Sequence, residues 1–165
     1  MLKAYRLCAT SARRKPGCSV TAARHTVSTD LPKAAGGDDT APQPVELMLA
    51  GLIGCKTATA HFVARHLWPR PNNRIDTISF SDVVAERDER GALTLPICDD
   101  PPITAGLLRV SGIVTVRPSR ADHPITADDV VQLGELVEKR CPVAAMFHSS
   151  GCVLDFEWRL DDGDA

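Results

Sequence analysis

Apolar positions are densest between Pro44 and Leu67, PVELMLAGLIGCKTATAHFVARHL, where the nine residues Val45 to Ile53 contain a single charge, Glu46. A helix that is apolar on every face has to be buried on every face, so this stretch predicts a central core helix. Glu46, Lys56 and His61 interrupt it, and the uninterrupted run is too short to cross a membrane, which takes about 20 predominantly apolar residues. Pro44 suits a first helical turn, and Glu46 stands where a carboxylate can cap back onto Gln43. Pro69 and Pro71 cannot continue the helix, and Asn72-Asn73 favour a turn.

The flanking segments carry shorter patterns. Leu2–Ala12 and Ser19–Ser28 read as two strands joined by Arg13-Arg14-Lys15-Pro16-Gly17, a hairpin with a Pro-Gly turn. Residues 31–43 are rich in Gly, Asp and Pro and predict a loop. Arg74–Glu86 reads as a strand, Arg87–Gly91 as a turn, Ala92–Ile97 as a return strand, and Gly106–Arg117 as a further strand stopped by Pro118. Thr126 predicts a helix cap with Asp128 and Asp129 in the first turn, followed by an apolar stripe of Val130, Val131, Leu133, Leu136 and Val137. Cys141-Pro142 interrupts that helix, because a residue before proline avoids helical dihedrals. Pro142 then opens a short helical turn to Phe147, Cys152–Leu160 is a last strand, and the acidic end from Asp161 is a solvated tail. This order predicts an α+β chain with mainly antiparallel sheets. It divides into an N-terminal hairpin (1–30), a central helix (44–68), a strand block (74–117), a helix pair (126–148) and a terminal strand (152–160), all in one domain of residues 1–165.

Length supports that reading, since 165 residues bury enough surface to fold without staples. Aromatics are only 4%, so the core rests on Val, Leu, Ile and Ala. A formal charge of −2 gives no general case for nucleic acid or a membrane surface as partner. The charge is uneven, however, with six Lys or Arg and no acid in residues 1–29. That composition is also how a mitochondrial presequence reads, although the Pro-Gly turn favours a structural hairpin. No secretory apolar segment opens the chain, so the six cysteines are expected in a reducing, cytoplasmic setting.

Two of those cysteines carry the candidate chemistry. Cys55 lies mid-helix, on a face with Met48, Gly51, Leu52, Thr59 and Phe62. A free cysteine there reads either as a small core hydrophobe or as a reactive thiol. Gly51 and Gly54 weaken a helix and make sense where another element approaches closely. Cys141 sits at the cap of the turn that Pro142 opens, where free backbone N–H groups and Arg140 favour a thiolate. Together the two can form a redox pair without CxxC spacing. His61, His66 and His148 with the cysteines lack any zinc-ligand spacing, so no metal is expected. Cys8 and Cys18 flank the first turn and can face each other across it, and Cys98 reads as an incidental loop residue. Arg13-Arg14-Lys15 has no aromatic neighbours and reads as a solvated turn rather than a nucleic-acid patch.

The run P-V-E-L-M-L-A-G-L-I-G-C-K-T-A-T, followed by R-C-P-V-A at Cys141, resembles the OsmC/Ohr family of thiol peroxidases. The resemblance implies an intertwined homodimer with the central helices buried between sheets, and no metal, haem or other cofactor. It implies that Cys55 attacks an alkyl or lipid hydroperoxide and that Cys141 resolves the sulfenic acid as a disulfide. A dithiol such as dihydrolipoamide would then reduce that disulfide. Met48, Leu52 and Phe62 would line the apolar pocket. Two positions depart from the family pattern. The peroxidases place Glu directly after the helix-opening proline, where this chain has Val45 and then Glu46. They also place an arginine in the preceding loop, where Lys33 is the only cation. Glu46, Lys33, Arg24 and Arg140 are therefore the candidates for activating the thiolate. The same departures imply an alternative, a non-enzymatic dimer or apolar-ligand binder on this fold.

Overall fold

The computed structural model describes residues 2–11, 14–68, 75–119 and 125–161. The chain forms two compact units, Met1–Gly51 and Leu52–Ala165. The predicted stops at Pro69 and Pro71, the Asn72-Asn73 turn, Arg74 and Arg13 lie outside the described residues, as does the acidic tail after Asp161.

The first unit is built on a three-stranded antiparallel sheet of β1 (Leu7–Ser11), β2 (Cys18–Ala22) and β3 (His25–Thr29) in that order. The single strand expected over Ser19–Ser28 is instead a hairpin, with Ala22 opposite His25 and a turn through Ala23 at φ 54°. Such tight turns need positive φ, which Gly, Asn or Asp normally announce, and Ala23-Arg24 carries no such signal. The register also corrects the cysteine pairing. Cys8 lies opposite Thr21, and Cys18 lies opposite Ser11 and Thr29, so the two thiols do not face each other.

After β3 the backbone folds around one carboxylate. Asp30 is 4% exposed. It accepts from the Thr40 hydroxyl at 2.8 Å and from the N–H groups of Leu31 (2.8 Å), Asp38 (3.1 Å) and Thr40 (3.1 Å). The Thr40 hydroxyl first, then the backbone donors, hold its carboxyl down from the usual 3.8 to about 2. Gly37 closes this loop, since a Cβ there would fall 1.8 Å from the Leu31 carbonyl oxygen. A depressed carboxyl stabilises the folded unit above its ordinary pKa, and that contribution is lost as pH falls through the folded value. Thermal melts of this chain should therefore lose stability between about pH 4 and about pH 2, following the shift of Asp30 from 3.8 to about 2. Asp30→Asn should lower stability near neutrality and flatten that acid-dependent loss; an unchanged acid profile would count against this role.

Helix α1, Pro44–Leu67, begins in the first unit, with the Glu46 carboxylate accepting the Gln43 N–H at 2.8 Å as the sequence predicts. From Leu52 onward it belongs to the second unit. Only the stripe Leu52, Lys56, Ala60, Val63 and Ala64 is buried. Burial on every side, expected from composition, does not occur in the single chain. Phe62 is 49% exposed, and a Cβ on Gly54 would meet nothing within 4 Å. The reason is that one chain offers the helix one packing surface. With 24 residues, α1 is also long and apolar enough to cross a membrane by length and composition alone, a test that core helices of folded domains pass as well.

The second unit continues with β4 (Ile75–Arg87), the short α2 (Arg90–Leu93), β5 (Leu107–Pro118), α3 (Ala127–Arg140), α4 (Pro142–Ser149) and β6 (Val153–Leu160). The return strand expected over Ala92–Ile97 is absent. The segment instead enters α2 and then a turn with a cis Leu95-Pro96 bond. Gly91 sits where a Cβ would lie 2.2 Å from the Thr104 carbonyl oxygen, so the segment packs on itself rather than on β4. β4 pairs antiparallel with β5, whereas β5 pairs parallel with β6. The parallel pairing follows from the connection, because α3 and α4 carry the chain back across the sheet before β6 begins. The core lies between Val110, Val114 and Val116 of β5, the Val130, Leu133, Val137 stripe of α3, and Trp158 of β6. Val131 is 48% exposed, so the apolar stripe of α3 is narrower than its sequence suggests.

Candidate functional site

Cys141 is placed by local chemistry. Thr126 starts α3 with a reciprocal capping box to Asp129, and the helix runs until Cys141, whose φ −74° and ψ 115° are those of a residue ahead of proline. Pro142 then occupies the first turn of α4, leaving Cys141 as its cap. The thiol is 1% exposed, and its sulfur accepts the Ala144 N–H at 3.4 Å.

Burial is the strongest influence on that thiol and pushes its pKa above the usual 9.0. The Ala144 N–H, and more weakly that of Val143, pull the other way. Cys55 raises it further, both as a hydrogen-bonding neighbour and through its charge. The helix-cap argument for an activated Cys141 therefore identifies a real interaction that burial outweighs. The Cys55 side chain is thus within electrostatic reach of Cys141. Both are free thiols, Cys55 half-buried and Cys141 buried. Two adjacent thiols can exchange reversibly between dithiol and disulfide.

Lys33 is exposed in a 3-10 turn, Lys33–Ala35, and Arg24 is exposed in the β2–β3 turn. With Glu46, which caps α1, they belong to the first unit, whereas both thiols belong to the second. Leu52 is fully buried in the core, while Met48 is 44% and Phe62 49% exposed. Phe62 and Arg140 share a cavity of about 300 Å³ with Val63, His66, Leu67 and Leu136. Among the described residues, no group of three or more His, Cys, Asp or Glu converges on a point that could hold a metal. Cys152 is buried, which alone raises its pKa.

Sequence reasoning passes over one cluster. Lys56, treated as an interruption of the apolar run, is completely buried and forms an ion pair with Glu138 of α3. Its ammonium lies 4.6 Å over the ring of Phe156. The other carboxylate oxygen of Glu138 is 3.5 Å from His148 Nε2 on α4. The available signal was the lysine itself, because a charge buried inside an apolar helix requires a counter-charge.

The broad class is an α+β fold that carries Cys55 on α1 and Cys141 at the junction of α3 and α4. More narrowly, residues 36–157 match the family described as OsmC-like protein, and the chain belongs to that family. It is similar to the OsmC-like protein from Mycoplasma pneumoniae at TM-score 0.74 and 18% identity, over 97% of this chain and 99% of that one. An organic hydroperoxide resistance protein from Elizabethkingia anophelis aligns at TM-score 0.65 and 17% identity, over 98% and 100% of the chains. The organic hydroperoxide resistance protein OsmC from Legionella pneumophila aligns at TM-score 0.63 and 14% identity, over 98% of each. These similarities are of fold. No curated protein matches the chain by sequence.

Proposed function

We propose that this chain is a dithiol peroxidase for organic hydroperoxides. The reading is carried by the electrostatic influence of Cys55, on α1, on Cys141, which caps α4 and lies 86 residues away in sequence. In the first step the Cys55 thiolate attacks one peroxide oxygen, the O–O bond breaks, and the alcohol leaves after taking a proton. Cys55 is then a sulfenic acid. The Cys141 thiolate attacks that sulfur and expels hydroxide, which leaves as water, forming a Cys55–Cys141 disulfide. A dithiol reductant, of the dihydrolipoamide type, restores both thiols by two successive exchanges and is itself oxidised to a disulfide. Family membership and the names of the hydroperoxide resistance proteins of the same fold support this assignment. A homodimer belongs to the same reading. The exposed side of α1, with Phe62 and the open space at Gly54, is where a second copy would supply the missing burial.

The test is single-turnover oxidation of the reduced chain by cumene hydroperoxide, followed by alkylation and mass spectrometry. The expected product is an intramolecular disulfide, two hydrogens lighter, formed far faster than peroxide oxidises a free thiol. Oxidation at the free-thiol rate would defeat the proposal. It would favour instead a non-enzymatic protein binding an apolar ligand, a reading that draws on the cavity at Phe62 and Arg140.

A further inference from the structure

Lys56 has no part in the chemistry just described, yet it is one of only two buried polar or charged residues among those described, and it is completely covered. Its position relative to the thiols is specific. Lys56 directly follows Cys55 on α1, and Glu138 stands in the last turn of α3, three residues before Cys141, which caps that helix. The Lys56–Glu138 ion pair therefore joins α1, at the residue next to Cys55, to the last turn of α3, which Cys141 caps. Phe156 of β6 covers the ammonium at 4.6 Å and is itself held edge-on by Phe80 at 6.2 Å. His148, 3.5 Å from the second oxygen of Glu138, brings in α4, the helix that Cys141 caps.

We propose that Lys56 and Glu138 are positioning residues for the thiol pair: their ion pair clamps α1 to α3 and thereby sets the effective concentration of Cys55 against Cys141. This rests on reading the two cysteines as a redox pair. A pair of apolar side chains can fill the same space with similar or better stability, but it leaves the register between the helices free to slide. An ion pair under a fixed aromatic ring does not, because separation strands the fully buried Lys56 ammonium without its counter-charge.

The experiment equilibrates the full chain in mixtures of glutathione and glutathione disulfide. One thiolate of the chain displaces a glutathione from the disulfide, and the second displaces the other, so that two protein thiols are oxidised and one glutathione disulfide becomes two glutathiones. Alkylation and mass spectrometry give the closed fraction. Lys56→Met and Glu138→Gln are each expected to lower the closure constant at least tenfold, which is about 30 mV for this two-electron couple. Lys56→Arg should retain most of it. Lys56→Met combined with Glu138→Met replaces the charges by an apolar pair, guards against loss of fold in the single variants, and should also lower the constant. An unchanged constant in variants with native near-ultraviolet circular dichroism overturns the clamp, and so does a wild-type chain that never closes. Because the oxidant here is a disulfide, the outcome separates from the peroxidase reading. A wild type that closes with glutathione disulfide but ignores cumene hydroperoxide defeats only the peroxidase.

Discussion

Cys55→Ser is expected to lower hydroperoxide turnover by at least about a thousandfold, the scale on which loss of a covalent nucleophile acts. A serine hydroxyl is neither ionised nor polarisable enough to attack a peroxide near neutral pH, and no neighbouring thiol can replace Cys55 at its position on α1. Cys141→Ser should behave differently. The first step survives, the chain stops one oxygen heavier at Cys55, and turnover continues only as fast as an external thiol reaches that sulfenic acid. Wild-type resolution carries its own signature. Burial keeps the proton on Cys141 past the usual 9.0. The attacking species is the thiolate, so its fraction, and with it the rate of disulfide closure after a peroxide pulse, should climb with pH up to and beyond 9.0. Rapid acid quench and mass spectrometry across that range measure it. Closure that is independent of pH below 9.0 would contradict a buried, protonated Cys141.

The parts of this molecule that sequence reveals are those whose causes are local. The Thr126–Asp129 capping box, the Gln43–Glu46 cap and the break at Cys141-Pro142 each depend on residues within one turn of one another, and each is found where the residues place it. The OsmC-like assignment was legible as well, through the length of the motif around Cys55. What stayed hidden is non-local or lacks a chemical marker. The β2–β3 turn is made by Ala23 at positive φ, which side-chain chemistry does not advertise. The parallel partner of β5 is fixed by where α3 and α4 return the chain. Lys56 and Glu138 are 82 residues apart, so a lysine in an apolar run looked like an imperfection until its counter-charge was located. Gly51 and Gly54, read as sites of close approach by another element, meet nothing within 4 Å in the single chain.

Close approach within the chain occurs instead at Gly134, and Gly134→Val is expected to destabilise the second unit by about 3 kcal/mol, the upper end of the usual range for overpacking. A Cβ at this position would lie 2.5 Å from Cγ and 2.6 Å from Cδ1 of Trp158. Neither atom is the free end of a flexible chain. The indole is buried in β6, so relief requires α3 to move away from the sheet. Gly134→Ala makes the same clash but gains about 1 kcal/mol of helix propensity, leaving a net loss of about 1 kcal/mol. Gly54→Ala, with nothing within 4 Å of its Cβ, has only the propensity gain and serves as the control in the monomer. Urea midpoints at constant slope give all three values, and a Gly134→Ala chain as stable as wild type would refute the packing argument. The effect should also reach the thiols. Gly134 lies one turn before Glu138 on α3, so displacing the helix from Trp158 draws Glu138 away from Lys56. A folded Gly134→Ala chain should therefore close its Cys55–Cys141 disulfide less readily in glutathione buffers, linking the fit of one indole against one glycine to the geometry of the redox pair.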